Sequence, residues 1–203
     1  MRIAVVAPVV LPSPAPKYGG VEQAVCDHCF AFGELGIPYT LFAPKGSKAP
    51  KGELVETIEP TIAWREFSEK EAFDIYSPQL TKKDFDVVLD TSHEGLPIGR
   101  TELPVVKRLM GISVWNSGPI PAPGKLQYVT ESYYHWRVTK EKLTFDSSVN
   151  NYGIDLETYH PTENPTRDFY LNLSMQAPKK GQLDLLNALD RVDDIVIAGE
   201  DKL

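Results

Sequence analysis

Five residues of the chain combine a side-chain type and a position that could support ligand chemistry: Gly19, Gly20, Glu22, His93 and Lys180. The glycine pair follows a strand-like apolar segment, residues 2–8, and directly precedes a helical pattern. A turn of this kind presents backbone N–H groups and the positive end of a helix dipole, which favour anionic or polyhydroxyl ligands. Two simpler interpretations stay open: the glycines satisfy a turn with positive φ, and Glu22 complements the dipole.

His93 lies in the segment Thr91-Ser92-His93-Glu94, just after the strand-like residues 85–90. An imidazole at a strand end can hydrogen-bond the hydroxyl groups of a ligand or carry protons near neutral pH. A loop histidine without a catalytic role is the alternative. The run Cys26-Asp27-His28-Cys29 lies inside a predicted helix and has no second Cys/His pair, so we expect it to pack and to hold no metal.

The elements that must position these residues alternate between strands and helices. Residues 2–8, a helix over 21–35 ended by Gly36, and residues 38–43 predict a strand–helix–strand unit with parallel strands. Residues 64–80 are a mixed, mainly helical stretch, and Ser132 can cap a helix that runs through Trp136. Further strands are predicted at 54–59, 85–90, 104–110, 125–130 and 142–149. The fold class is therefore α/β, a Rossmann-like, mainly parallel sheet with helices on both faces.

We expect two domains, residues 1–160 and 165–203, joined by the Pro-rich segment His160–Pro165. The second predicts a strand at 168–173, a helix at 181–192 and a strand at 195–199. Two strands and one helix remove too little apolar surface from water to be stable alone. We therefore expect the apolar faces of residues 165–203 to be covered, either by a second copy of the chain in a homodimer or by a separate subunit.

Composition excludes several classes of partner. The net charge is −7 and Lys and Arg form no block, so a nucleic-acid surface is not expected. Two cysteines and the lack of a secretory signal favour the cytoplasm. No segment has the run of roughly 20 apolar residues that a membrane span needs, so any membrane association would be peripheral.

A set of motifs in order resembles glycosyltransferase family 4, its amino-terminal half with the start of its carboxy-terminal half. They are the Ala7-Pro8 strand end, Tyr18-Gly19-Gly20-Val21-Glu22, Thr40-Leu41-Phe42-Ala43-Pro44, Phe85-Asp86-Val87-Val88, Gly153-Ile154-Asp155-Leu156-Glu157, Pro178-Lys179-Lys180-Gly181 and Ile195-Val196-Ile197-Ala198-Gly199. Each motif alone is common, whereas the ordered set at this spacing is specific.

The resemblance implies a GT-B architecture and transfer of a sugar from a nucleotide sugar to a glycan, lipid or small-molecule acceptor. It implies no cofactor and no essential metal, with retention of configuration. Gly19, Gly20 and Glu22 would lie at the donor phosphate or acceptor. Lys180 would neutralise the donor diphosphate, where charge develops on the leaving group.

Three departures from the family pattern leave other functions open. The family's arginine before the lysine is absent near Ser174-Met175, Met110 stands where a histidine often ends a strand, and the paired donor glutamates are missing. His93 on the neighbouring strand end is the candidate substitute for that histidine. The chain is then a fragment, half of a split enzyme, or a non-catalytic carbohydrate- or nucleotide-binding protein. A dinucleotide-dependent oxidoreductase is disfavoured, because a third spaced glycine is missing and Ala43-Pro44-Lys45 stands where an acid should end the second strand.

Overall fold

The structure of the chain is a computed structural model. It describes residues 1–61, 68–109, 125–143 (backbone only at 142 and 143), 147–153, 156–157, 160, 163, 169–174, 180–188 and 195–198. The chain divides into two compact units, Met1–Gly153 and Ile154–Leu203.

The first unit is built on a seven-stranded parallel sheet. Its strands are β1 (Ile3–Val6), β2 (Tyr39–Ala43), β3 (Glu53–Glu56), β4 (Val87–Asp90), β5 (Val105–Arg108), β6 (Leu126–Thr130) and β7 (Ser147–Val149). Its described helices are α1 (Gly20–Glu34), α2 (Lys70–Tyr76), which continues into a 3₁₀ turn at Ser77–Gln79, and α3 (Tyr133–Leu143). The predicted α/β, Rossmann-like class is confirmed.

Apolar residues cover the sheet on both faces. On one face Val25 and Cys29 of α1 pack against alternate residues of β1, β2 and β4. On the other face, Ala72 and Tyr76 of α2 pack against Val88 and the other strand residues whose side chains lie on this face. This is why the strands read as continuous apolar runs, and why Cys29 is fully buried as the helical stripe predicted.

Strand order is β3-β2-β1-β4-β5-β6-β7. The chain therefore adds β2 and β3 on one side of β1 and then returns to add β4 on the other side. Val6 at the end of β1 lies opposite Asp90 at the end of β4. Loops after these two strands leave the sheet in opposite directions, and α/β proteins bind ligands outside the carboxyl ends of strands at such a switch point.

One strand prediction was partly wrong. Residues 142–149 were expected to be extended, but α3 runs through Leu143, and strand is found at Ser147–Val149 among the residues of this segment that the structure describes. The Ser132 hydroxyl accepts a hydrogen bond from the His135 amide at 3.1 Å, as expected of a cap, and the helix continues through the good helix formers Lys140-Glu141-Lys142. Residues 64–67, 110 and 144–146 of the predicted segments lie outside the described residues.

The second unit contains a parallel strand pair, β8 (Tyr170–Leu173) and β9 (Ile195–Ala198), and a short helix, α4 (Gln182–Ala188). Residues 189–192 of the predicted helix lie outside the described ones. None of the helices in the described ranges is long and apolar enough to cross a membrane.

Candidate functional site at the β1/β4 switch point

Four of the five candidate residues lie in the loops that follow β1 and β4 or in the first turn of α1. Residues 7–19 lead from β1 to Gly19-Gly20 and the start of α1, and residues 91–95 leave β4 with His93. The two loops are joined at their base, because both the amide and the hydroxyl of Thr91 donate to the Val6 carbonyl, at 3.0 and 2.6 Å. Gly19, Gly20, Glu22 and His93 therefore belong to one edge of the sheet.

The two glycines serve different purposes. Gly19 is the N-cap of α1 with φ 175°, an extended conformation open to any residue, so positive φ is not the reason for this glycine. A Cβ at Gly19 would lie 2.3 Å from the Ala15 Cβ and 2.9 Å from a Glu22 carboxylate oxygen. Gly20 is exposed, and a Cβ there would meet nothing within 4 Å. Gly19 thus allows the loop to pack closely, and Gly20 is the glycine that faces open space.

Glu22 lies in the first turn of α1 and is 1% exposed. Neither of its carboxylate oxygens has a hydrogen-bond partner within the described part of the chain. Burial raises the pKa of its carboxyl, and its own backbone amide opposes that shift. An O–H or N–H donor from a ligand would supply the missing hydrogen bond.

A buried carboxylate holds the backbone on either side of the His93 side chain. Glu69, at the start of α2, accepts hydrogen bonds from the amides of His93 at 2.8 Å and Glu94 at 2.6 Å. Glu94 in turn accepts a hydrogen bond from the Glu69 amide at 2.9 Å. This reciprocal pair fixes the turn on which the imidazole stands.

Environment shifts the pKa values of both groups. Burial raises the pKa of Glu69 to about 7, although the two amide hydrogen bonds oppose the shift. Burial and the Lys107 charge hold the pKa of His93 at about 4. The imidazole is therefore neutral at pH 7, a state that can hydrogen-bond a hydroxyl but cannot act as an acid there.

Beneath the turn lies a buried ion pair. Asp90 and Lys107 are opposite residues on β4 and β5, with the ammonium 3.3 Å from one carboxylate oxygen. The same oxygen accepts from the Ser92 amide at 2.9 Å and the Ser92 hydroxyl at 2.6 Å, and Lys107 also donates to the Ser92 carbonyl. The other Asp90 oxygen is buried and has no partner among the described residues. The pair anchors the turn from below.

Sequence patterns did not identify Glu69, Asp90 or Lys107 as parts of the site. Lys107 and Arg108 could have been recognised from the sequence. They are two charged residues in a predicted strand of a sheet covered on both faces, and buried charges need a partner. Glu69 could not have been recognised in this way, because no local pattern connects it with a turn 24 residues further along the chain.

Lys180 lies in the second unit, exposed, two residues before α4. Among the described residues no three Cys, His, Asp or Glu side chains converge on a metal-sized site, and Cys26 and Cys29 are free thiols.

Comparisons with known proteins give a fold likeness. No protein-family model and no curated protein matches the sequence. Among solved structures, the chain is similar to AviGT4, a glycosyltransferase involved in avilamycin A biosynthesis, with a TM-score of 0.61 and 20% sequence identity. The match covers 90% of this chain and 52% of AviGT4, so the chain spans about half the length of that protein. The chain therefore resembles a solved glycosyltransferase in fold.

Proposed function

We propose that this chain carries the acceptor side of a family 4-like glycosyltransferase of GT-B type, which transfers a sugar from a nucleotide sugar to a glycan, lipid or small-molecule acceptor. The observation that supports this most is the placement of Gly20 at the start of the helix reached from β1 and of His93 in the loop after β4, since these two strands flank the switch point. The fold likeness to AviGT4 supports the reaction class.

In this proposal each candidate residue has a limited task. Gly20 leaves room for a phosphate or hydroxyl to approach the backbone at the positive end of α1. Glu22 accepts a hydrogen bond from the ligand, and Gly19 keeps the loop packed beside it. The neutral His93 imidazole orients a sugar hydroxyl. Lys180 neutralises the donor diphosphate as the leaving group gains charge.

A second function has an observation in its favour. With a pKa of about 4, His93 carries no proton to donate at neutral pH and is only a weak base. This fits a protein that binds carbohydrate or nucleotide without transferring sugar. Binding without turnover would identify that alternative.

The test is a two-part assay on the full chain. Saturation-transfer NMR with a panel of nucleotide sugars measures binding, and chromatography of the released nucleoside diphosphate measures transfer or hydrolysis. Gly20→Ala fills the open space and should weaken ligand binding about tenfold, the cost of losing one hydrogen bond to a charged group. Gly153→Ala is the matched control, because a Cβ there also meets nothing within 4 Å.

The proposal fails if no nucleotide sugar binds and none is turned over. It also fails if Gly20→Ala binds every nucleotide sugar as tightly as the wild type and the control Gly153→Ala do.

A further inference from the structure

Arg108, the last residue of β5, is a cation with 2% exposure. Its side chain reaches towards α1, where one terminal nitrogen lies 3.1 Å from Nε2 of His28. The other terminal nitrogen donates to the Asn150 carbonyl at 2.9 Å. The ring of Tyr152 lies 4.3 Å from the guanidinium carbon. Contacts from three directions hold the guanidinium in place.

None of these contacts brings a negative charge. Burial, with the Arg108 charge adding to it, lowers the pKa of His28, so the imidazole accepts the hydrogen bond in its neutral form. Among the described residues no carboxylate lies within 4.0 Å of the guanidinium. Glu131 approaches the Tyr152 hydroxyl and lies 3.7 Å from His135 instead. The adjacent Lys107, by contrast, is paired with Asp90.

Arg108 also has an unsatisfied hydrogen-bond donor among the described residues. Its Nε is buried and has no hydrogen-bond partner in the described part of the chain. A buried charge that lacks a counterion, and one of whose donors lacks an acceptor, is unfavourable unless something else supplies them. The planar guanidinium matches phosphate and carboxylate groups, which provide the charge and the acceptor together.

Location favours a ligand over a purely structural role. Arg108 lies at the carboxyl end of a parallel strand, the edge at which open α/β sheets bind ligands. Its cover on one side is Tyr152, which is 39% exposed and follows the end of β7. The Tyr152 hydroxyl contacts Arg108 and Glu131, so rotation of this side chain away from them would open a path to the guanidinium, and a ligand oxygen would take the place of the hydroxyl.

We infer that Arg108 is the core of an oxyanion-binding site that takes the phosphate or carboxylate group of a ligand. Under the proposed function this group belongs to the acceptor, which makes the acceptor an acidic molecule. Only that link to the acceptor rests on the proposed function, because the anion site itself follows from the surroundings of Arg108.

The experiment follows the Nε–H resonance of Arg108 in nitrogen–proton NMR spectra of the full chain, assigned by its loss in Arg108→Lys. Inorganic phosphate and acetate are titrated separately at constant ionic strength. A saturating shift with either anion is expected, and the anion that acts identifies the class. Arg108→Lys should bind that anion about tenfold more weakly or worse. Arg137→Gln, which removes an exposed arginine from α3, should bind it as the wild type does.

Absence of a saturating shift with both anions would overturn the inference, as would equal affinity in the wild type and Arg108→Lys. If Arg108→Lys fails to fold, the wild-type titration still decides, and Tyr152→Leu gives a second readout. That variant keeps the cation and should bind the anion at least as tightly. A negative result here leaves the nucleotide-sugar assay unaffected, so the two proposals can fail independently.

Discussion

At the scale of single residues, Glu69 at the start of α2 and His93 in the turn after β4, which the Glu69 carboxylate holds, have opposite effects on stability as they titrate. Glu69 has a folded-state pKa of about 7 against an ordinary value of 4.5, so its stabilising contribution is complete below pH 4.5 and is lost as the pH rises through 7. His93 has a folded-state pKa of about 4 against 6.5, so its contribution is present above pH 6.5 and is lost as the pH falls through 4. As the pH rises from about 4 to about 7, the stability lost through Glu69 is therefore offset by the stability gained through His93.

Replacing either residue should therefore uncover the pH dependence of the other. Relative to the wild type, Glu69→Gln should be more destabilising at about pH 4.5 than at about pH 8, and His93→Gln more destabilising at about pH 7 than at about pH 4. Each change in the free energy of unfolding is at most about 3 kcal/mol across its window. Urea denaturation over that pH range measures it.

Glu71→Gln is the control, since this exposed residue of α2 should leave the pH profile unchanged. Parallel profiles for the wild type, Glu69→Gln and His93→Gln would refute the opposed titration.

At the scale of elements, β4 and β5 are joined by a charged pair inside an apolar sheet. Lys107 and Asp90 are both essentially inaccessible to solvent, so the attraction between them offsets a large desolvation cost. Removing one partner leaves the other charge buried and alone. Removing both avoids that penalty.

We expect Lys107→Met to lower the free energy of unfolding by about 3 to 5 kcal/mol, and Asp90→Asn with Lys107→Met to lower it by less. Urea denaturation of the two variants and of Asp90→Asn completes the double-mutant cycle. Lys45→Met, which breaks an exposed pair with Glu59, should stay close to the wild type. A double variant as unstable as the sum of the two single variants would argue against coupling across the strands.

The entry to α1 gives a second prediction at this scale. Gly19→Ala places a Cβ 2.3 Å from that of Ala15 and should cost about 1 to 3 kcal/mol of stability. Gly20→Ala meets open space in a helical position, so its effect should be within about 1 kcal/mol. Thermal unfolding of the two variants makes the comparison, and equal losses would mean that the pair acts as a single flexible turn.

At the scale of the whole molecule, the first unit is complete in itself. All seven strands of its sheet, and the apolar clusters on both faces, lie within Met1–Gly153. An α/β domain of this size buries enough apolar surface to fold alone.

A fragment ending at Gly153 should therefore unfold cooperatively and keep dispersed amide signals in NMR. Its Arg108 resonance should respond to anions as in the full chain, since His28, Asn150 and Tyr152 all belong to this unit. A fragment that is unfolded in buffer would contradict the self-sufficiency of the sheet.

The sequence by itself determined the order of strands and helices, the α/β class, and the placement of Gly20 at the start of the first helix and of His93 after a strand end. These features depend on local apolar periodicity and on turn residues, which a single segment carries. Only the tertiary structure decided that Glu69 holds the His93 turn, that Lys107 faces Asp90, and that Arg108 is buried beside His28. Those contacts depend on which strands become neighbours and which helix covers each face. That choice minimises exposed apolar surface over the whole unit, and no local pattern contains it.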